Sequence, residues 1–187
     1  MAYTYGTAEW EKAYQEMVQE RLAKAEKPYV LGTPEWVAAF EKLIQEDAQY
    51  KEVAKTWEGS VVIHILANPA NGLNKDIYLF MDLWHGDCRF VKLVPREAGE
   101  KADFVLTGEF ERWQAVMKKE LDVVKAMMQG KVKLKGSLPT IVRYVKASIR
   151  LTDLSAQVDT LFQSDMSEEE RDNYTKWFDE LRSAFGF

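Results

Sequence analysis

The sequence predicts an α+β fold, and three observations lead there. A helical period fills roughly the first 58 residues, and β-branched and aromatic runs parted by turn chemistry occupy 61–107. Amphipathic helical patterns then return from 109 onward. A chain of 187 residues is long enough to bury roughly 70% of its unfolded surface, so no covalent staple is needed. The single cysteine, Cys88, excludes an internal disulfide and fits a reducing compartment. No stretch approaches the ~20 apolar residues of a membrane span, and the first residues lack the basic start and apolar run of a signal peptide. A soluble, cytoplasmic protein is expected.

The helical start contains a repeat at an offset of 26 residues, in which Gly6-Thr7-Ala8-Glu9-Trp10 recurs as Gly32-Thr33-Pro34-Glu35-Trp36. Each copy predicts a helix. Thr7 and Thr33 can accept N–H bonds as N-caps, and Pro34 suits a first turn. Two copies fall short of a solenoid, so a helical pair is expected, the second continuing through Tyr50 to about Trp57.

Four β-rich runs follow at 61–67, 77–84, 89–94 and 104–107, the first three reading as an antiparallel meander. The run at 77–84 is apolar on both faces, with Ile77, Leu79, Met81 and Leu83 on one and Tyr78, Phe80 and Trp84 on the other. A sheet wetted on one side should show polar residues there, so a cover is expected from the first repeat helix, the terminal helix or a partner. Helices are predicted over about 109–120 and, capped by Asp122, to Gln129 with Gly130 at the C-cap position. Lys131-Val132-Lys133-Leu134-Lys135 alternates as a strand with one buried face. Ser137 can cap a helix with Leu138, Ile141, Val142, Val145 and Ile149 along one stripe, and Ser167-Glu168-Glu169-Glu170 is a capping box opening a last helix.

The sequence shows no Gly-rich phosphate loop, paired-cysteine metal motif or Gly-x-Ser-x-Gly elbow. His64, Asp82, His85 and Cys88 could meet if the first three strands pair, although alternation puts Asp82 and His85 on opposite faces of one strand. What the sequence offers instead is apolar surface: Phe110, Trp113, Val116 and Met117 on one helix, Val123, Val124, Met127 and Met128 on the next. Methionine adapts to irregular spaces, though such a stripe also makes plain core.

The segment from Ala102-Asp103, through Trp113 and Met127-Met128-Gln129-Gly130-Lys131-Val132-Lys133-Leu134-Lys135-Gly136, to about Lys146 resembles the sterol carrier protein-2 family. The resemblance implies a mixed five-stranded sheet with helices over one face, enclosing an apolar tunnel that holds sterols, fatty acids or fatty acyl-CoA. It implies a lipid-binding domain at 59–150, between helical additions at 1–58 and 151–187, that carries its ligand without catalysis, cofactor or metal. The expected lining is Trp113, Val116, Met117, Val124, Met127, Met128, Val142 and Val145. Fatty acyl groups are favoured over sterols, because no residue in the sequence evidently positions a sterol hydroxyl.

Net charge is −5, but residues 101–150 carry +6 between segments of −5 and −6. Lys118, Lys119, Lys131, Lys133, Lys135 and Arg143 could guide anionic ligands or transient membrane contact, or simply form a solvated face. Nucleic acid is not an expected partner; a homodimer is compatible with the aromatic stripes of the first and last helices, which together exceed what one small sheet needs. Two rival readings remain: an assembly subunit with a collapsed pocket, and an enzyme using the His64/Asp82/His85/Cys88 group.

Overall fold

The structure, a computed structural model, describes residues 2–187. Its centre is a five-stranded mixed sheet of β2 (Glu58–Ile65), β3 (Ile77–Trp84), β4 (Asp87–Leu93), β5 (Phe104–Gly108) and β6 (Lys133–Lys135), in the order β4-β3-β2-β5-β6. Within this sheet β2 and β5 pair in parallel, and the meander β2-β3-β4 is antiparallel as expected. A separate pair joins β1 (Tyr29–Val30) to β7 (Thr160–Leu161).

Both repeat copies fold as helices by one device. In α1 (Ala8–Lys24) and α2 (Pro34–Glu46) the cap threonine accepts the N–H of Trp10 or Trp36 and donates back to the carbonyl three residues earlier, at 2.7 Å in each copy. The two helices are joined by Arg21, whose guanidinium grips the buried Glu35 carboxylate at 2.7 and 3.2 Å. From there the copies diverge. Trp10 is fully buried, stacks on Tyr14 and donates to the Phe185 carbonyl of α9 (Glu168–Phe185), whereas Trp36 turns toward the sheet.

Helix α2 lies along β4 and, with α1, supplies hydrogen bonds that no neighbouring strand provides. The N–H of Val91 donates to Glu41 at 2.8 Å, the N–H of Leu93 donates to the Tyr14 hydroxyl at 3.0 Å, and Gln45 donates to the Cys88 carbonyl at 3.1 Å. Tyr14 and Phe185 therefore belong to the same core as the sheet.

The outer sheet face departs from expectation. Neither α1 nor α9 lies over Tyr78, Phe80 and Trp84, because their aromatic stripes are spent on each other and on the rest of the main core. The cover is the short α4 (Arg96–Glu100), which closes a small second cluster of Val62, Tyr78, Val94, Ala102 and Val105. Gly99 makes this possible, since a Cβ there would stand 2.5 Å from the Tyr78 ring. Phe80 is only half-buried against Phe90, and Trp84 remains exposed. On β6, Lys135 donates to the carbonyls of Glu100 and Ala102.

The helices over the inner face are α2, α3 (Ala48–Val53), α5 (Phe110–Met117), α6 (Val123–Met128), α7 (Leu138–Arg143) and α8 (Val145–Gln157). The core runs across the expected divisions at 58/59 and 150/151, since α8 passes through the second and α2 packs over the sheet beyond the first. Helices α3 and α8 are clamped by Asp47 and Arg150 at 2.5 and 2.8 Å, and by Thr56 and Tyr144, whose hydroxyls lie 2.9 Å apart. Asp47 also caps α3 by accepting the Tyr50 N–H. The Arg150 guanidinium, outweighing burial, holds the Asp47 carboxyl below its ordinary range. A carboxylate depressed on folding contributes stability that is present above its unfolded pKa and lost as pH falls through the folded one. The wild type should therefore lose more stability than Asp47→Asn on acidification below about pH 4. Thermal melts of both proteins at stepped pH check this, and parallel losses would show the clamp carries no linkage.

Candidate functional site

Between sheet and helices lies a cavity of about 120 Å³. Strand alternation builds its floor: Val61, Ile63 and Ile65 of β2, Leu79, Met81 and Leu83 of β3, and Leu106 of β5 point inward, while Val62, His64, Tyr78 and Phe80 point away. The roof is Trp36 and Phe40 of α2, Tyr50 of α3, Trp113, Val116 and Met117 of α5, Val123 and Met127 of α6, and a long stripe of α7 and α8. Among the described residues lining the cavity, none is charged.

The tryptophans contribute apolar surface because their N–H groups are already engaged. Trp36 donates to the Thr160 hydroxyl and Trp57 to the Gly59 carbonyl, both at 2.8 Å, and Trp113 to the His64 carbonyl at 3.2 Å.

Of the eight residues expected to line the site, Trp113, Val116, Met117 and Met127 do so. Val124 is buried but stands outside the lining, and Met128 is 67% exposed. Neighbouring residues on a helix lie about 100° apart, so Met127 and Met128 cannot share a face; Met127 pairs with Val123, four residues back. Val142, at 45% exposure, and half-buried Val145 also miss the cavity. The expected single helix breaks at Tyr144, and the inward stripe is Ile141, Tyr144, Ala147, Ser148, Leu151, Thr152 and Ser155. Branched aliphatic residues advertise a buried face in a sequence; alanine and serine do not, so sequence reasoning misses this stripe. It also misses Trp36, Phe40 and Tyr50, because the repeat reads as a separate extension.

The histidine cluster takes separate partners. Asp82 pairs with Arg89 at 2.8 Å, His85 meets Glu58 at 2.7 Å in solvent, and Cys88 is buried with its thiol pushed up to about 12 by burial. His64 is held on the outer face between Asp76 at 2.7 Å and Thr107 at 2.9 Å, stacked on Tyr78. That Thr–His–Asp chain is separated from the cavity by the sheet itself.

The model of the SCP-2 sterol transfer family matches residues 40–147, from within α2 to the start of α8. A crystal structure of sterol carrier protein 2 is 34% identical, with a TM-score of 0.64 over 68% of this chain and 98% of that one. The solution structure of a conserved hypothetical protein from Thermus thermophilus, described as possibly a sterol carrier protein, is 32% identical, with a TM-score of 0.65 over 73% of this chain and 94% of that one. Comparison with curated proteins finds no match. The matched segment carries all five strands of the sheet and much of the roof, while Trp36 and the α8 residues from Ser148 onward lie outside it, and the chain belongs to the SCP-2 sterol transfer family.

Proposed function

We propose that this protein carries an apolar lipid, a fatty acyl chain or sterol-like molecule, by reversible sequestration and without catalysis. The observation that carries the reading is the uncharged, almost wholly apolar wall of the cavity. Each buried CH₂ contributes about 0.8 kcal/mol, so length of apolar ligand should govern affinity. The cavity is smaller than the roughly 300–1,000 Å³ of ordinary ligand sites, so loading must widen it. The shortest roof helices are α3, α6 and α7 at six residues each, and of these α3 is held by the Asp47–Arg150 pair. Mass spectrometry of small molecules co-purifying with the native protein tests the proposal, together with titration of a fluorescent fatty acid. A co-purifying lipid and saturable binding are expected; absence of both overturns it.

Exchange with a membrane is part of this reading. Met128, Val142 and Ile149 are exposed on the roof helices, within the segment of net charge +6. Lys119 and Lys135 have local partners, but Lys131, Lys133 and Arg143 are exposed. Binding to phosphatidylserine-containing vesicles should weaken clearly between low and physiological salt, as co-sedimentation would measure. Salt-independent association would return these residues to plain solvated surface. The exposed Trp84 favours a second reading in which the outer sheet face joins two copies, and sedimentation velocity would detect that dimer.

A further inference from the structure

The cavity's few polar groups are unevenly placed. On α8 Ser148, Thr152 and Ser155 line it at helical spacing, and Tyr50 faces them from α3. Two of these hydroxyls are already spent on helix carbonyls: Thr152 donates to Ser148 and Ser155 to Thr152. Among the described residues, Tyr50 Oη and Ser148 Oγ have no such partner. Tyr50 is 1% exposed, and burial pushes its hydroxyl far above the ordinary phenol range. Of the other buried tyrosines, Tyr14 accepts the Leu93 N–H, Tyr174 is bonded to Gln163, and Tyr78 lies on the outer sheet face, stacked on His64 and near Glu100. Tyr50 lines the cavity, and the titratable group near its hydroxyl is the buried Cys88 thiol, which is not part of the lining. Tyr50 and Ser148 line the same cavity from α3 and α8, which two contacts hold side by side. Asp47 meets Arg150 and Thr56 meets Tyr144.

We propose that the Tyr50 and Ser148 hydroxyls form a polar subsite that receives one uncharged oxygen of the lipid, a hydroxyl or an ester-type carbonyl, in preference to a free carboxylate. The inference rests on the carrier reading and names the class of ligand within it. A buried polar group left unpaired is costly, and a neutral oxygen pairs with these hydroxyls without needing a counter-charge. An ionised carboxylate would need one, and no cation lines the cavity. A charged headgroup therefore stays outside.

The test compares hexadecanol, hexadecane and palmitate as competitors of a fluorescent probe, on wild type, Tyr50→Phe and Ser148→Ala, with circular dichroism and melting temperature recorded for each. Wild type should bind hexadecanol more tightly than either hexadecane or palmitate at neutral pH. Tyr50→Phe should lower hexadecanol affinity by about five- to tenfold and leave hexadecane unchanged, as removal of one hydrogen bond predicts. Ser148→Ala should do the same to a smaller extent, and it decides the matter if Tyr50→Phe fails to fold. Equal losses for alcohol and alkane, no loss for either, or tighter binding of palmitate than hexadecanol would overturn the subsite while leaving carriage intact. Failure of the wild type to bind any of the three would overturn the carrier reading itself.

Discussion

Ala147→Phe is expected to lower affinity for an apolar lipid about thirtyfold, while the fold stays intact. Ala147 is buried on the cavity side of α8, so a phenyl ring there enters the space that an acyl chain would use. Displacing two or three CH₂ groups forfeits about 2 kcal/mol, which is that factor in binding. The ring fills space already present, so the melting temperature should move by only a few degrees, less than in a solid core. Met128→Arg is the companion measurement. Its side chain stands in solvent, so binding of a fluorescent fatty acid should stay within about twofold of wild type. Unimpaired binding by Ala147→Phe, or loss of binding by Met128→Arg, would show that the lining has been misplaced.

Trp10→Ala should be the most damaging single change for stability, at about 3–5 kcal/mol. The indole is 0% exposed, stacked on Tyr14 at 4.7 Å and set edge-on to Phe185 at 6.0 Å. Its removal opens a void where α1, α9 and the edge of the sheet meet, and strands the Phe185 carbonyl. For a chain of this length the melting temperature should fall by about 6–20 °C. Trp36→Ala, the same position of the repeat, should cost less and alter lipid binding more, because Trp36 already borders open space. If the two variants melt alike and bind alike, the copies have not diverged as their surroundings indicate.

Local structure was legible in the sequence because it depends on local chemistry. The caps Thr7, Thr33, Asp122, Ser137 and Ser167 all accept the N–H bonds that their positions predict. The strand faces followed from alternation, and the order of motifs from Ala102 to Lys146 carried the family. The cavity was half legible. Trp113, Val116, Met117 and Met127 sit on helices whose apolar residues outnumber their polar ones, so hydrophobicity alone finds the inward face. On α8 the inward face carries Ala147, Ser148, Thr152 and Ser155, and hydrophobicity selects Val145 and Ile149 instead. Tertiary contact sets that rotation: the Arg150–Asp47 pair and the Tyr144–Thr56 bond fix α8 about its axis. The preference for acyl chains over hydroxyl-bearing lipids rested on finding no residue to meet a hydroxyl. Tyr50 and Ser148, to which we assign that role, lie 98 positions apart, and the fold places both on the cavity wall.

The bonds from Tyr14, Glu41 and Gln45 to β4 have a consequence for behaviour at high concentration. An edge strand with free N–H and C=O groups is a template on which another chain can grow a sheet, and this one would be aromatic, with Phe90 beside Phe80. Here those three side chains occupy groups at Val91, Leu93 and Cys88 that an incoming strand would use. The opposite edge, β6, is three residues long and carries Lys133 and Lys135, a length and charge that discourage addition. Both sides of the sheet are thus closed to polymerisation, one by borrowed hydrogen bonds and the other by brevity and charge. The N-terminal helices occupy part of an exposed sheet edge as well as contributing to the core.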